Sequence, residues 1–76
     1  MEFTKDVVID LRNSALEGEC RVSVSRDGVE IYAETVPQGT SSVTLSGQKG
    51  NGVVRYNVVI NEQDGWEVVE EFTANG

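Results

Sequence analysis

Residues 46–56, SGQKGNGVVRY, place three glycines around one lysine, a composition found in loops that bind phosphate. Such a loop needs the order G-x-x-x-x-G-K-[ST] and a following helix, because the helix N-terminus supplies the amides and the dipole that hold the anion. Here Lys49 precedes Gly50, and the chain continues as VVRYNVVI, which is typical of a strand. The stretch therefore predicts a mobile hairpin tip whose glycines permit unusual backbone angles.

The remaining side chains that could act in catalysis or bind a metal ion do not combine into a predicted active site. The chain has no histidine, so the usual general base near neutral pH and the commonest metal ligand are missing. Glu67, Glu70 and Glu71 form the densest acidic group, but adjacent positions of a strand point to opposite faces. The single Cys20 excludes an internal disulfide, and its alternating apolar neighbours predict a buried side chain. We predict a protein that is not an enzyme and holds neither cofactor nor metal ion.

The length and net charge of the chain limit the kinds of partner that we expect it to bind. Seventy-six residues are enough for one domain, and the net charge of -7 repels nucleic acid and anionic lipid head groups. No apolar run approaches the roughly 18 residues that span a bilayer, so we expect no direct membrane insertion. The first residues lack the basic region of a signal peptide. We therefore expect either a cytoplasmic protein or a fragment of a longer secreted or anchored chain.

Alternating apolar and polar residues predict the fold. β-Branched residues dominate the apolar fraction and favour strands, because they pack well on a pleated surface. The alternation predicts six strands, near 5–12, 20–26, 29–36, 42–46, 53–61 and 66–73, with strand 53–61 in the centre. These strands predict one all-β domain over 1–76, a small antiparallel β-sandwich of the immunoglobulin or fibronectin type III kind. A six-stranded barrel is the alternative.

Asp27 and Gly28 predict the register of the second and third strands. An Asp-Gly pair between two alternating runs is typical of a type I′ turn. A two-residue loop there would place Val24 opposite Ile31 in the core. The polar face would then pair Arg21 with Glu34 and Ser25 with Glu30.

A second hairpin joins the last two strands. A three-residue loop over 63–65, with its glycine in the left-handed region, predicts that Glu62 lies opposite Trp66. The same register leaves Glu70 beside Val58, which requires a position near a sheet edge.

These registers define candidate binding residues. Tyr32 falls on the polar face of its strand, and an exposed aromatic side chain on a sheet is a common anchor for a partner. Trp66 stands at the mouth of the last hairpin, where we expect it to cap one end of the core. The candidate partner-binding residues are Tyr32, Arg21 and Glu34 on the sheet face, and Lys49, Asn51 and Trp66 in the two loops.

Three features between 20 and 72 carry a resemblance to a known family. They are the DG turn before VEIY, the VTLSG strand, and the IN strand end followed by a last strand that closes on FT. In these features the chain resembles the immunoglobulin-like accessory domains of bacterial cell-envelope proteins, particularly those of PASTA-containing serine/threonine kinases and penicillin-binding proteins of Gram-positive bacteria. The resemblance implies an extracytoplasmic location and a spacer or recognition role, with a cell-wall component or another protein domain as partner.

Two hypotheses about assembly follow from an isolated β domain of this kind. In the first, the domain is a monomer that serves a larger surface or envelope protein. In the second, it is a self-associating structural or adhesion-type domain that pairs through its edge strands.

Overall fold

In the computed structural model, which describes residues 1–63 and 65–74, six strands form two antiparallel sheets. The strands are β1 (Phe3–Asp10), β2 (Cys20–Arg26), β3 (Val29–Val36), β4 (Ser42–Gly50), β5 (Gly52–Ile60) and β6 (Gly65–Phe72). The two-stranded sheet contains β1 and β4, and the four-stranded sheet has the order β3-β2-β5-β6. Within the described residues, no helix is long and apolar enough to cross a membrane. The predicted all-β class and the predicted antiparallel sheets are confirmed.

The core lies between the two sheets. Because side chains alternate along a strand, each strand sends every second residue inward. β5 lies between β2 and β6, so its prediction as a central strand is also confirmed. Burial of one such apolar side chain contributes about 1.5–3 kcal/mol, which makes this cluster the main source of stability in a domain of this size. The largest fully buried side chains are Tyr56, Phe72, Ile9, Leu11, Val7, Val22, Val24 and Val58.

The β2–β3 hairpin has the predicted turn. Asp27 and Gly28 have φ angles of 53° and 79°, and a type I′ turn requires positive φ at both central residues. Ser25 pairs with Glu30 as predicted, and the Ser23 hydroxyl donates a hydrogen bond to Glu30 Oε2 at 3.0 Å. The turn and the first pairs beyond it therefore follow from the sequence.

A β-bulge in this hairpin corrects the rest of the predicted register. Val24 pairs with Tyr32 instead of Ile31, so Ile31 is the extra residue and is 41% exposed. The predicted core pair of Val24 and Ile31 is wrong. A two-residue turn fixes the register only as far as the first bulge, because a slip of one residue moves every following side chain to the other face.

The β5–β6 hairpin also has a different register from the predicted one. Trp66 pairs with Val58, and the predicted pair of Trp66 with Glu62 is wrong. Glu70 accordingly pairs with Val54, still on the face that the sequence predicted. The slip is an even number of residues, so it moves side chains along the strand without changing their face.

A contact with β2 explains why this loop is longer than predicted. The Asn61 backbone N–H donates to Arg21 O at 2.8 Å, and Asn61 Oδ1 accepts from the Arg21 N–H at 2.9 Å. Asn61 and Glu62 have φ angles of 52° and 61°, so the chain turns here, before the predicted glycine. Asp64, which the prediction placed in this loop, lies outside the described residues.

The glycine-rich stretch is not the predicted hairpin tip. β4 continues to Gly50 and β5 begins at Gly52, so Asn51 carries the chain from one sheet to the other. Within β4, Gly47 has a φ of 65°, and its N–H donates to Asp6 Oδ1 at 3.0 Å where the β1–β4 register shifts. Gly47 therefore forms the β-bulge of β4, and Gly50 and Gly52 flank the residue at which the chain crosses between the sheets.

The strand ends form two opposite poles. The start of β1 and the end of β6 lie at one of them, since Phe3 pairs with Gly50 and Phe72 pairs with Gly52. We call this the terminal pole. The other, the loop pole, consists of the three loops 11–19, 37–41 and 61–63.

Candidate functional site

Backbone hydrogen bonds join two of the three loops of the loop pole. The Leu11 N–H donates to Ser41 O at 3.0 Å, and the Gly39 N–H donates to Ala15 O at 2.7 Å. Ala15 is fully buried and anchors its loop in the core. The third loop is held by the Asn61 contacts with β2 described above. The loop pole is therefore one surface of defined shape, carried on a rigid scaffold in the way that many binding surfaces are.

Arg12 and Trp66 form the main side-chain contact of this pole. The Arg12 guanidinium lies over the Trp66 ring, 4.6 Å from its centroid, a geometry that contributes about 0.5–1 kcal/mol at an exposed site. Asp10 helps to hold this arrangement, because its Oδ1 accepts a hydrogen bond of 2.7 Å from the Arg12 N–H. Trp66 is half-buried and packs against the core. The prediction that Trp66 caps one end of the core is confirmed.

The loops of this pole also carry an exposed apolar side chain and several acids. Leu16 projects from the first loop and is 58% exposed. Three exposed glutamates, Glu17, Glu19 and Glu62, accompany it on the same loops. The loop pole thus combines one apolar contact point with a surplus of negative charge.

The structure does not bring Tyr32, Arg21 and Glu34 together on one face. Tyr32 and Glu34 pair with buried residues of β2, whereas Arg21 pairs with Thr35, so Arg21 lies on the opposite face of the sheet. The predicted Arg21–Glu34 pair is wrong for the same reason as the Ile31 register, namely the bulge. Tyr32 is half-buried against the core, and burial, followed by the charge of Glu34, raises its pKa above 10.0.

The remaining predicted candidates lie away from the loop pole. Lys49 is an exposed residue of β4 that pairs with Thr4, and Asn51 lies at the terminal pole. Asn51 lines an open cavity of about 330 Å³ together with Arg26 and Arg55. Among the six predicted candidates, Trp66 is therefore at one end of the molecule and Asn51 at the other.

A polar cluster between the sheets, at the terminal pole, was missed by the sequence analysis. The Tyr56 hydroxyl donates to Gln48 Oε1 at 2.9 Å, and Arg26 Nη1 lies 3.4 Å from the same hydroxyl oxygen. Beside them, Lys5 Nζ and Glu70 Oε1 form an ion pair at 3.0 Å. Arg26 and Glu70 occupy positions where the alternation of their strands points inward, whereas Gln48 points inward only because the bulge at Gly47 shifts the alternation of β4.

The cluster closes one end of the core and is satisfied internally. Burial raises the pKa of Tyr56 above 10.0, and the nearby Arg26 guanidinium only partly offsets that effect. The Tyr56 hydroxyl therefore stays a hydrogen-bond donor at neutral pH. Across the described residues, no buried side-chain nitrogen or oxygen lacks a hydrogen-bond partner. This arrangement is typical of a structural closure, because the buried polar side-chain atoms that the structure describes already have partners within the protein.

Comparisons of the chain with protein-family models, with curated proteins and with solved structures gave no match. The candidate site is therefore chosen by geometry. The terminal pole is occupied by the polar cluster, the start of β1 and the end of β6. The loop pole presents two joined loops beside a third, an exposed leucine and a stacked arginine. The loop pole is the candidate functional site.

Proposed function

We propose that this domain is a non-catalytic recognition module that binds its partner through the loop pole. The observation that carries the proposal is the position of the strand ends, since β1 begins and β6 ends at the terminal pole. Any chain joined to either end leaves from that pole. A domain attached in this way presents its loop pole to the surroundings.

The same geometry favours recognition over the spacer role that the sequence also suggested. A spacer extends a chain in series, which requires that the chain enter at one pole and leave at the other. Here Phe3 and Phe72 are paired with Gly50 and Gly52, two residues that flank Asn51. The domain therefore adds little length between the segments that it joins.

The fixed loops support binding because they lower its entropic cost. A loop that is disordered before binding must be ordered by the partner, and that cost reduces the affinity. The bonds from Leu11 to Ser41 and from Gly39 to Ala15 hold two loops in place without a partner. Leu16 and the Arg12–Trp66 contact are therefore held in position before a partner binds.

The charge of the loop pole indicates the chemistry of the partner. Glu17, Glu19 and Glu62 favour a ligand with amino or guanidinium groups, because complementary charge steers association and rejects like-charged surfaces. A protein domain or a cell-wall component with free amino groups meets that requirement. The resemblance to immunoglobulin-like accessory domains supports a place in the extracytoplasmic part of a longer envelope protein.

An amide-resolved NMR titration with soluble peptidoglycan fragments, and separately with a lysine-rich peptide, tests this proposal. We expect shifts confined to residues 11–19, 37–41 and 61–63 and to the Trp66 indole. Leu16→Ser should weaken binding, whereas Val69→Ser, at a similarly exposed position outside the loop pole, should leave it unchanged. Unchanged spectra with both ligands, or shifts confined to the terminal pole, would contradict the proposal.

A further inference from the structure

The two-stranded sheet is too narrow to cover the four-stranded one. β4 lies over β5 and β2, since Gln48 Oε1 accepts hydrogen bonds from Tyr56 and Arg26. β1 lies beside β6, where Lys5 and Glu70 form an ion pair at 3.0 Å. The free edge of β4 is therefore directed toward β3, and no strand of the described residues pairs with it.

The exposure of β3 shows the same gap. Val29, Tyr32 and Glu34 lie on the core face of the sheet, because each pairs with a residue of β2 whose side chain points inward. Val29 is nonetheless 63% exposed, Tyr32 is half-buried and Glu34 is exposed. These three side chains form the floor of a groove, and the free edge of β4 forms its wall. We call it the β3–β4 groove.

The wall of this groove carries backbone groups that face away from β1. The Leu11 N–H donates to Ser41 O, so the backbone groups of Ser41 and of every second residue up to Leu45 point toward β1. Those of Ser42 and Thr44 consequently point to the free edge. This regularly paired part of β4 contains no charge and no proline, two of the features with which natural sheets protect their edges.

We propose that the β3–β4 groove binds an extended segment of a partner protein, which pairs with β4 and covers the core face of β3. The added strand lies about 4.8 Å from β4 and about 10 Å from β3, the usual spacings of paired strands and packed sheets. Its backbone bonds to Ser42 and Thr44, and such main-chain pairing is a recurring mode of peptide recognition. Every second side chain of the segment points toward the floor.

The floor determines which side chains the segment needs. Tyr32 already packs against the core, so the side chains that cover it are apolar. Glu34 forms no ion pair within the described residues, and a carboxylate that becomes covered requires an opposite charge. The segment therefore carries a lysine or arginine that reaches Glu34.

The direction of the strands gives the order of these side chains. β4 begins at the loop pole, whereas β3 ends there, so Glu34 lies nearer to the loop pole than Tyr32 does. An antiparallel segment runs toward the loop pole and reaches Glu34 last. The expected pattern is apolar residues at alternate positions, followed two residues later by a basic residue.

The folded strands of a second copy fit this groove poorly. The β4 edge of that copy is overhung by its own β2 and β3, so two copies placed edge to edge there would overlap. Its β3 edge carries the exposed Glu30 and the bulge at Ile31, and charges and bulges oppose strand addition. The groove therefore favours a single extended segment over a folded neighbour. This inference does not depend on recognition at the loop pole.

An amide-resolved NMR titration with the peptide acetyl-TVTVTKT-amide tests the proposal, because its valines and its lysine share one face of an extended strand. We expect shifts at Tyr32, Ser42 and Thr44, and slower exchange of the Ser42 and Thr44 amides with solvent. Unchanged spectra, or shifts confined to the loop pole, would overturn the proposal. Shifts of the same amides on dilution of the free protein would show that a second copy fills the groove, and would overturn it as well.

Glu34→Lys tests the charge of the floor. It should raise the dissociation constant of this peptide about fivefold and should strengthen binding of acetyl-TVTVTET-amide, because it reverses the charge that the sixth side chain meets. Glu30→Lys is the matched control, since Glu30 is exposed on the same strand but pairs with Ser25 on the outer face. Its dissociation constants should stay within about twofold of those of the unchanged protein at moderate salt. Equal effects of the two substitutions, or no effect of either, would contradict binding in the groove.

Discussion

The ring of Phe72 lies directly against the backbone of Gly50. A Cβ atom at Gly50 would stand 2.9 Å from two ring carbons of Phe72 and 3.1 Å from Val54 Cγ2. The absence of a side chain at Gly50 thus allows the end of β6 to close against the end of β4. This contact packs β6 against β4 at the terminal pole.

Gly50→Ala should therefore destabilise the fold. We expect the free energy of unfolding to fall by about 1–3 kcal/mol, because the added methyl group overpacks a buried site. Urea denaturation measures the change. Gly18→Ala is the matched control, since a Cβ there meets nothing within 4 Å and should leave stability unchanged or slightly raised. Equal losses of stability in the two variants would contradict the close contact between Gly50 and Phe72.

The bulge in the β2–β3 hairpin predicts unequal effects of two alanine substitutions. Ile31→Ala should cost less than about 1 kcal/mol, because Ile31 is 41% exposed and touches the core little. Val24→Ala should cost about 2 kcal/mol or more, because Val24 is fully buried. Thermal and urea denaturation measure both. A larger loss for Ile31→Ala than for Val24→Ala would restore the register without a bulge.

The raised pKa of Tyr56 predicts that the protein loses stability in alkaline solution. Burial raises its pKa in the folded protein above the ordinary value of 10.0, so the folded state holds the proton more tightly than the unfolded state does. This contribution is fully present below pH 10.0 and is lost as the pH rises through the pKa of the folded protein.

Denaturation between pH 8 and 12, followed at about half-unit intervals, measures this loss. Tyr56→Phe should reduce the slope above pH 10.0 while costing about 1–2 kcal/mol at neutral pH, because Gln48 Oε1 loses the nearer of its two donors. Tyr32→Phe is the comparison, since Tyr32 also has a raised pKa and accounts for part of the slope. If neither substitution changed the dependence of stability on pH, the alkaline loss of stability would not come from these two tyrosines.

The contact of Arg12 with Trp66 predicts a spectroscopic change. Arg12→Ala should shift the fluorescence of Trp66, the single tryptophan, to longer wavelength, because removal of the guanidinium exposes one face of the indole to water. We expect a stability loss of about 0.5–1 kcal/mol. Arg55→Ala removes an exposed arginine whose contact is the ion pair with Glu67, and it should leave the emission unchanged. An unshifted spectrum of the Arg12 variant would show that the guanidinium does not cover the ring.

The strands and the type I′ turn could be predicted because both depend on local properties. The alternation around Val22 and Val24 requires a buried face, and an Asp27–Gly28 pair readily adopts positive φ. The position of β5 at the centre likewise follows from its long apolar alternation.

The bulges and the polar cluster could not be predicted because they depend on contacts between distant strands. Nothing near Ile31 in the sequence indicates that it is skipped in the pairing. Gly47 was recognised as permissive, but its role depends on Asp6, which is 41 positions away. Trp66 was identified as a candidate, whereas its partner Arg12 lies in a loop whose path the sequence does not determine.

The shared position of the two strand ends has a mechanical consequence. Tension applied through both ends would load β1 and β6 from the terminal pole, beginning at the pairs of Phe3 with Gly50 and Phe72 with Gly52. Hydrogen bonds between antiparallel strands lie across the strand axis, so such a pull opens them one after another like a zipper. A load that sheared the strands lengthwise would have to break many bonds together. Under stretching, this domain should therefore yield at low force, from its outer strands inward.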